Sequence, residues 1–250
     1  MLKLDSKNTT ALTLIGYTYE IQENYTQAHK YYDMALVVDP ESIITLNHKA
    51  HAYDLQGDIE KAFEFYTNSL KIGPENIDTT FKLARVQIFK GNLEEAKTMF
   101  LLVAEKTQSN RQKAESLNNL GYLAVKEGPS SESENFFTKA IEVDPTFANS
   151  YVGLAKELFK KFLDQSQTNQ KTAYENLDSS FKNLETALKI NPYQSQASIQ
   201  LAMQMLTIGQ NKIAEQTLKN ALANLGKDIS LNKISKELSK KTIETLLANI

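Results

Sequence analysis

Residues 43–76 read IITLNHKAHAYDLQGDIEKAFEFYTNSLKIGPEN, and this stretch decides the fold. In its second half Ala62, Tyr66 and Ser69 stand at spacings of four and three. That is one face of a helix, on which small residues admit a neighbouring helix and the large one fills the gap. In its first half Ala50 is followed three residues on by Tyr53, which places a second apolar stripe on a first helix. Gly57-Asp58 between them reads as a helix stop and a helix start, and Pro74 ends the second helix. The unit is a helical hairpin.

The hairpin recurs along the chain. Ala28, Ala62 and Ala96 are 34 residues apart, Ser133 and Ser180 continue their column after insertions, and Ala214 closes it. Four residues after each comes Tyr32, Tyr66, Phe100, Phe137, Leu184 or Leu218, and three further on Ala35, Ser69, Val103, Ala140, Ala187 or Ala221. The first helices carry Gly16, Ala50, Ala84, Gly121, Ala155 and Ala202. Gly91-Asn92, Gly128-Pro129 and Gly209-Gln210 repeat the hairpin turn, and Pro40, Pro145 and Pro192 repeat the stop. A fixed period of this length means one small unit stacked many times.

Composition agrees. The 250 residues include only 5 Pro and 9 Gly, and a hydrophobic fraction of 41% supports a real core. The formal net charge of −2 provides no field toward nucleic acid or an anionic membrane. The absence of Cys excludes disulfides, thiolate metal sites and a Cys nucleophile. No apolar run approaches the ~18 residues of a membrane span, and no signal-peptide pattern opens the chain. Compartment stays open, with a soluble, cytoplasmic protein slightly favoured.

The small, aromatic, small and Pro columns resemble the tetratricopeptide repeat family. The resemblance implies an all-α, right-handed α-solenoid of about six helical hairpins, at 9–42, 43–76, 77–110, 114–147, 148–194 and 195–228. Residues 1–8 read as the remnant of a preceding repeat, because Leu2-Lys3-Leu4-Asp5-Ser6 matches the end of a second helix. Residues 229–250, with Leu231, Ile234, Leu238, Ile243, Leu246 and Leu247, read as a capping helix. The fifth unit carries about a dozen extra residues around Asp164–Asn169, and the stripe Ala173, Leu177, Phe181, Leu184 and Leu188 predicts longer helices there. The family's Trp is missing from every first helix.

No catalytic or cofactor motif is present: no phosphate-cradling Gly loop, no Gly-x-Ser-x-Gly, no His-Glu-x-x-His. His48, His51 and Asp54 share one side of a helix, but without a further ligand they read as solvated or peptide-facing. The expectation is a chain that is not an enzyme and needs neither cofactor nor metal. The resemblance implies a scaffold or adaptor binding a peptide segment of a partner protein in a concave groove lined by first helices, within a multiprotein complex. The groove stripe contains Tyr17, Asn47, His51, Asp54, Asp78, Phe81, Arg85, Asn118, Tyr122 and Lys156, a mixture of aromatic, amide and charged groups. Replacing Phe81 and Arg85 should weaken binding at little cost in stability. Some family members grip a chaperone's terminal carboxylate through a Lys and an Asn one turn apart. Thr13 and Tyr17 stand there instead, so that clamp is not reproduced. The alternative is self-association through the N-terminal repeat.

Overall fold

The computed structural model describes residues 8–127, 131–228 and 233–250. The expected remnant at the N-terminus, the Gly128-Pro129 turn and Leu231 lie outside them. Among the described residues the chain forms thirteen α-helices and one short 3-10 turn, with no strand. It divides into two compact units, residues 1–107 and 108–250.

The first unit holds α1 (Thr9–Ile21), α2 (Tyr25–Val38), α3 (Ile43–Gln56), α4 (Ile59–Ile72), α5 (Ile77–Lys90) and α6 (Leu93–Lys106). Each odd-numbered helix packs antiparallel on the next, and each hairpin stacks on its neighbour. Helix starts are set by side-chain caps: the side chains of Asn8, Asn24, Ser42, Asp58 and Asn76 accept from the third backbone N–H beyond them. The hairpin turns need a left-handed residue. Gly57 and Gly91 supply it at φ 79° and 80°, and Glu23 adopts the same region at φ 57° in the first hairpin. The small and aromatic columns form the core: Ala28, Tyr32, Ala62, Tyr66, Ala96 and Phe100 are fully buried.

The second unit holds α7 (Asn110–Glu127), α8 (Ser131–Val143), α9 (Ala148–Gln165), α10 (Gln170–Ile190), α11 (Ser195–Thr207), α12 (Asn211–Asn224) and α13 (Lys233–Ala248). Helices α9 and α10 run to 18 and 21 residues, and their extra turns close over Phe159, Phe162, Ala173 and Leu177. Ile243, Leu246 and Leu247 of α13 cover the apolar face that α11 and α12 present.

Phe137 shows how closely the stack is fitted. The ring is fully buried, and a Cβ built on Gly121 or Gly153 would lie 2.6 or 2.3 Å from it. Gly121 belongs to the helix paired with α8, Gly153 to the next first helix. The ring is therefore clamped between two positions that admit no side chain.

Candidate functional site

In the first unit, hydrogen bonds join successive first helices. The hydroxyls of Thr13 and Thr45 lie 2.7 Å apart, and Asn47 Nδ2 donates to Thr79 Oγ1 at 2.7 Å. Thr45 and Thr79 are each the third residue of their helix and are fully buried. The third such link is charged. Glu20 is 3% exposed; its Oε2 accepts from the Tyr32 hydroxyl at 2.6 Å and its Oε1 lies 2.7 Å from His51 Nδ1. Burial alone would raise the Glu20 pKa, but the hydrogen bonds from His51 and Tyr32, with the charges of His51 and His48, bring it below the ordinary carboxylate value. Burial and the neighbouring carboxylate push the Tyr32 hydroxyl far up.

These links decide where the ten expected groove residues stand. Asn47 and Asn118 are buried at 9% and 6% exposure instead of lining a solvated groove, and each keeps an Oδ1 without a hydrogen-bond partner. His51 is committed to Glu20. Tyr17 is partly exposed and packs on His48, ring centroids 4.9 Å apart. Phe81 is half-buried, its ring meeting the buried Phe100 edge-on at 5.8 Å. Asp54 is half-buried and Arg85 exposed, and their charges act in opposite senses on the buried Tyr66 hydroxyl, which desolvation raises most. Asp78 is exposed in the first turn of α5, where the helix dipole favours an acid. In the second unit Tyr122 rests edge-on against Phe137 at 5.1 Å, and Lys156 lies over the Tyr122 ring at 5.6 Å.

The structure thus brings together only some of the ten. In the first unit His51 is bonded to Glu20, while Tyr17 lies against His48. Asn118, Tyr122 and Lys156 occupy α7 and α9 in the second. Ile44, 67% exposed on α3, adds an uncovered apolar group to the first-helix face.

Neither Glu20 nor the column of buried hydroxyls stands out in the repeat pattern by residue type. The signal for that column was the period itself. Thr45, Thr79, Ser116 and Ser150 are each fully buried two residues after the start of their expected repeat. Among the described residues no cluster of three potential ligands is placed to hold a metal ion, and no helix is long and apolar enough to cross a membrane.

Residues 55–117 and 114–147 each match a tetratricopeptide repeat profile. No curated protein matches the sequence significantly. Among solved structures the chain is similar to a tetratricopeptide repeat protein from Parabacteroides merdae, at 18% identity over 97% of this chain and 87% of that one, with a TM-score of 0.71. It is similar to PilF of Pseudomonas aeruginosa at 14% identity, over 95% and 96% of the two chains, with a TM-score of 0.66. YrrB, a tetratricopeptide protein with an unusual peptide-binding site, aligns at 19% identity over 77% of this chain and 91% of its own, with a TM-score of 0.55. Identities this low speak for the fold alone. Matched by repeat profiles in the middle of its length, and folded into the same stacked hairpins within each unit, the chain belongs to the tetratricopeptide repeat family.

Proposed function

We propose that this chain is a non-catalytic scaffold or adaptor that binds a segment of a partner protein along its first-helix face, as part of a multiprotein assembly. The family is in general a protein-interaction module. The observation that carries the reading is the division of labour on that face in the first unit. Thr13, Asn47 and Glu20 are spent holding helices together, while Ile44, Tyr17 and Arg85 stay exposed beside them. A rigid backing with apolar, aromatic and charged groups in front suits an extended segment, because little order is lost on binding. YrrB, with its peptide-binding site, lends the family-level precedent.

The test uses a partner first identified by capture on the purified chain and then itself purified. Ile44→Ala with Arg85→Ala should weaken its affinity by about tenfold or more, the scale of losing one good anchor. Both side chains are exposed, so the melting temperature should hold. Phe81 is a poorer probe, since its edge contact with Phe100 means that Phe81→Ala also loosens the core. Unchanged affinity in the double variant would place the binding surface elsewhere.

A second reading has its own observation. Leu14, Tyr17 and Ile21 lie along one side of α1 at 58%, 39% and 66% exposure. Such a stripe marks a contact, and self-association through α1 would cover it. Sedimentation at rising concentration decides: a dimer that Leu14→Lys abolishes supports this reading, and a monomer throughout removes it.

A further inference from the structure

Six cations in the described residues lie over aromatic rings, and five of them also reach an oxygen. Lys49 over Phe65 pairs with Asp33, Lys61 over Tyr53 with Asp58, Lys90 over Phe63 with Glu60, and Arg111 over Phe147 with Asp144. Lys227 over Tyr193 donates to Asn224 Oδ1. Lys156 is the exception. It sits half-buried over Tyr122 with no carboxylate in ion-pair range among the described residues. Desolvation with nothing to offset it pushes its ammonium pKa down.

Its surroundings are matched to an anion. The Tyr122 hydroxyl makes no hydrogen bond among the described residues, and burial, with the charge of Glu157, pushes its pKa up to about 12, so it stays a donor at neutral pH. The ring cannot swing away, because it is seated edge-on against the fully buried Phe137. Two donors, one cationic and one neutral, thus stand close to each other, and among the described residues neither is hydrogen-bonded or ion-paired; the nearby Glu157 carboxylate accepts from Ser133 instead. An ammonium and a phenol supply two hydrogen bonds and one positive charge, which a carboxylate satisfies with its two oxygens and single negative charge. A dianionic phosphate would ask for a second cation at the same spot, and Lys161, five residues on, is already paired with Glu134.

We infer that Lys156 and Tyr122 form a carboxylate-binding subsite that receives an Asp or Glu side chain of the bound segment. The subsite rests on the reading that the chain binds a protein segment. It names the chemistry of that segment in the second unit, separately from the test at Ile44 and Arg85 in the first.

The experiment uses the full chain and three fluorescein-labelled probes followed by anisotropy: hexaglutamate with both ends blocked, hexaglutamine with both ends blocked, and hexaglutamine with a free C-terminal carboxylate. Blocked hexaglutamate should bind. Lys156→Met, which keeps the aliphatic stem, should weaken it at least tenfold, and Tyr122→Phe about threefold. The exposed Lys30→Met should leave it unchanged. In parallel, the NMR resonance of the Lys156 ε-methylene should shift on titration with acetate and its pKa should rise. Equal binding by Lys156→Met and the parent overturns the subsite, as does equal binding of blocked hexaglutamine. Binding confined to the free-terminus probe overturns the assignment to an acidic side chain and moves it to a chain end. A null result with all three probes, with no shift at Lys156, also overturns the subsite, while a loss of partner affinity in the Ile44/Arg85 variant would still support the groove reading.

Discussion

Phe137→Ala should cost about 3–5 kcal/mol, the range for deleting a fully buried aromatic side chain. The sharper result lies at its neighbours. A glycine inside a helix is ordinarily improved by alanine, by about 0.5–1 kcal/mol. At Gly153 the sign should reverse. The added methyl would start 2.3 Å from the Phe137 ring, and the ring has little room to retreat because the backbone at Gly121 also backs it closely: a Cβ built there would lie 2.6 Å from the same ring. Overpacking of this kind costs about 1–3 kcal/mol. In a Phe137→Ala background the obstacle is gone, so Gly153→Ala should become neutral or stabilising. The two changes are therefore coupled, and urea melts of the parent, both single variants and the double variant measure that coupling. Additive effects would mean that the ring is not clamped between the two first helices. Hydrogen exchange should localise the loss to α7, α8 and α9.

Glu20→Ala should be the most damaging polar substitution in the first unit, costing about 2–4 kcal/mol. It strands the Tyr32 hydroxyl in a fully buried site and removes the anion beside His51. The range is set below that of a fully enclosed ion pair because the His51 side chain is 35% exposed. The same carboxylate should write itself into the pH dependence. Its folded pKa is lowered from the ordinary value of 4.5, so its contribution is present above that value and is lost as pH falls through the folded pKa. His29 and His48 act in a higher window. Burial is the largest cause lowering both from 6.5, so stability already declines as pH falls below that value. Comparing the parent with Glu20→Gln separates the two. The variant should retain the decline that begins below pH 6.5 and show a shallower further one below 4.5, the remainder coming from Asp144 and Asp58, whose carboxyls are also held below their ordinary values. Identical acid limbs in the two proteins would show that Glu20 is not held as a stabilised carboxylate.

Both predictions turn on residues that a repeat pattern treats unequally. Tyr32, Tyr66, Phe100 and Phe137 were legible as core because burial of a large side chain every 34 residues leaves a periodic trace in residue type. Gly153 was not, since it lies outside the small-residue column that supplied Gly121 and Ala155, and only the path of the Phe137 ring reveals its constraint. The hairpin turn at Glu23 was missed for a similar reason: a left-handed backbone is announced by glycine at 57 and 91, and by nothing at 23. On the first-helix face, residue type alone does not separate a polar group facing solvent from one spent on a neighbour. Asn47 and Arg85 both read as groove residues. The Asn amide is short enough to bridge to Thr79 and is consumed by it, while the Arg side chain extends past the contact into solvent.

The claim that the first-helix face receives a partner is tested most directly by photocrosslinking in the native cell. A benzophenone amino acid is placed singly at the exposed positions Ile44 and Arg85, and for comparison at the exposed positions Lys30, Glu64 and Glu95 on the second helices. The account predicts a discrete adduct with the same partner from Ile44 and Arg85 and none from the second-helix positions. An adduct from Lys30, Glu64 or Glu95, with Ile44 and Arg85 silent, would contradict it.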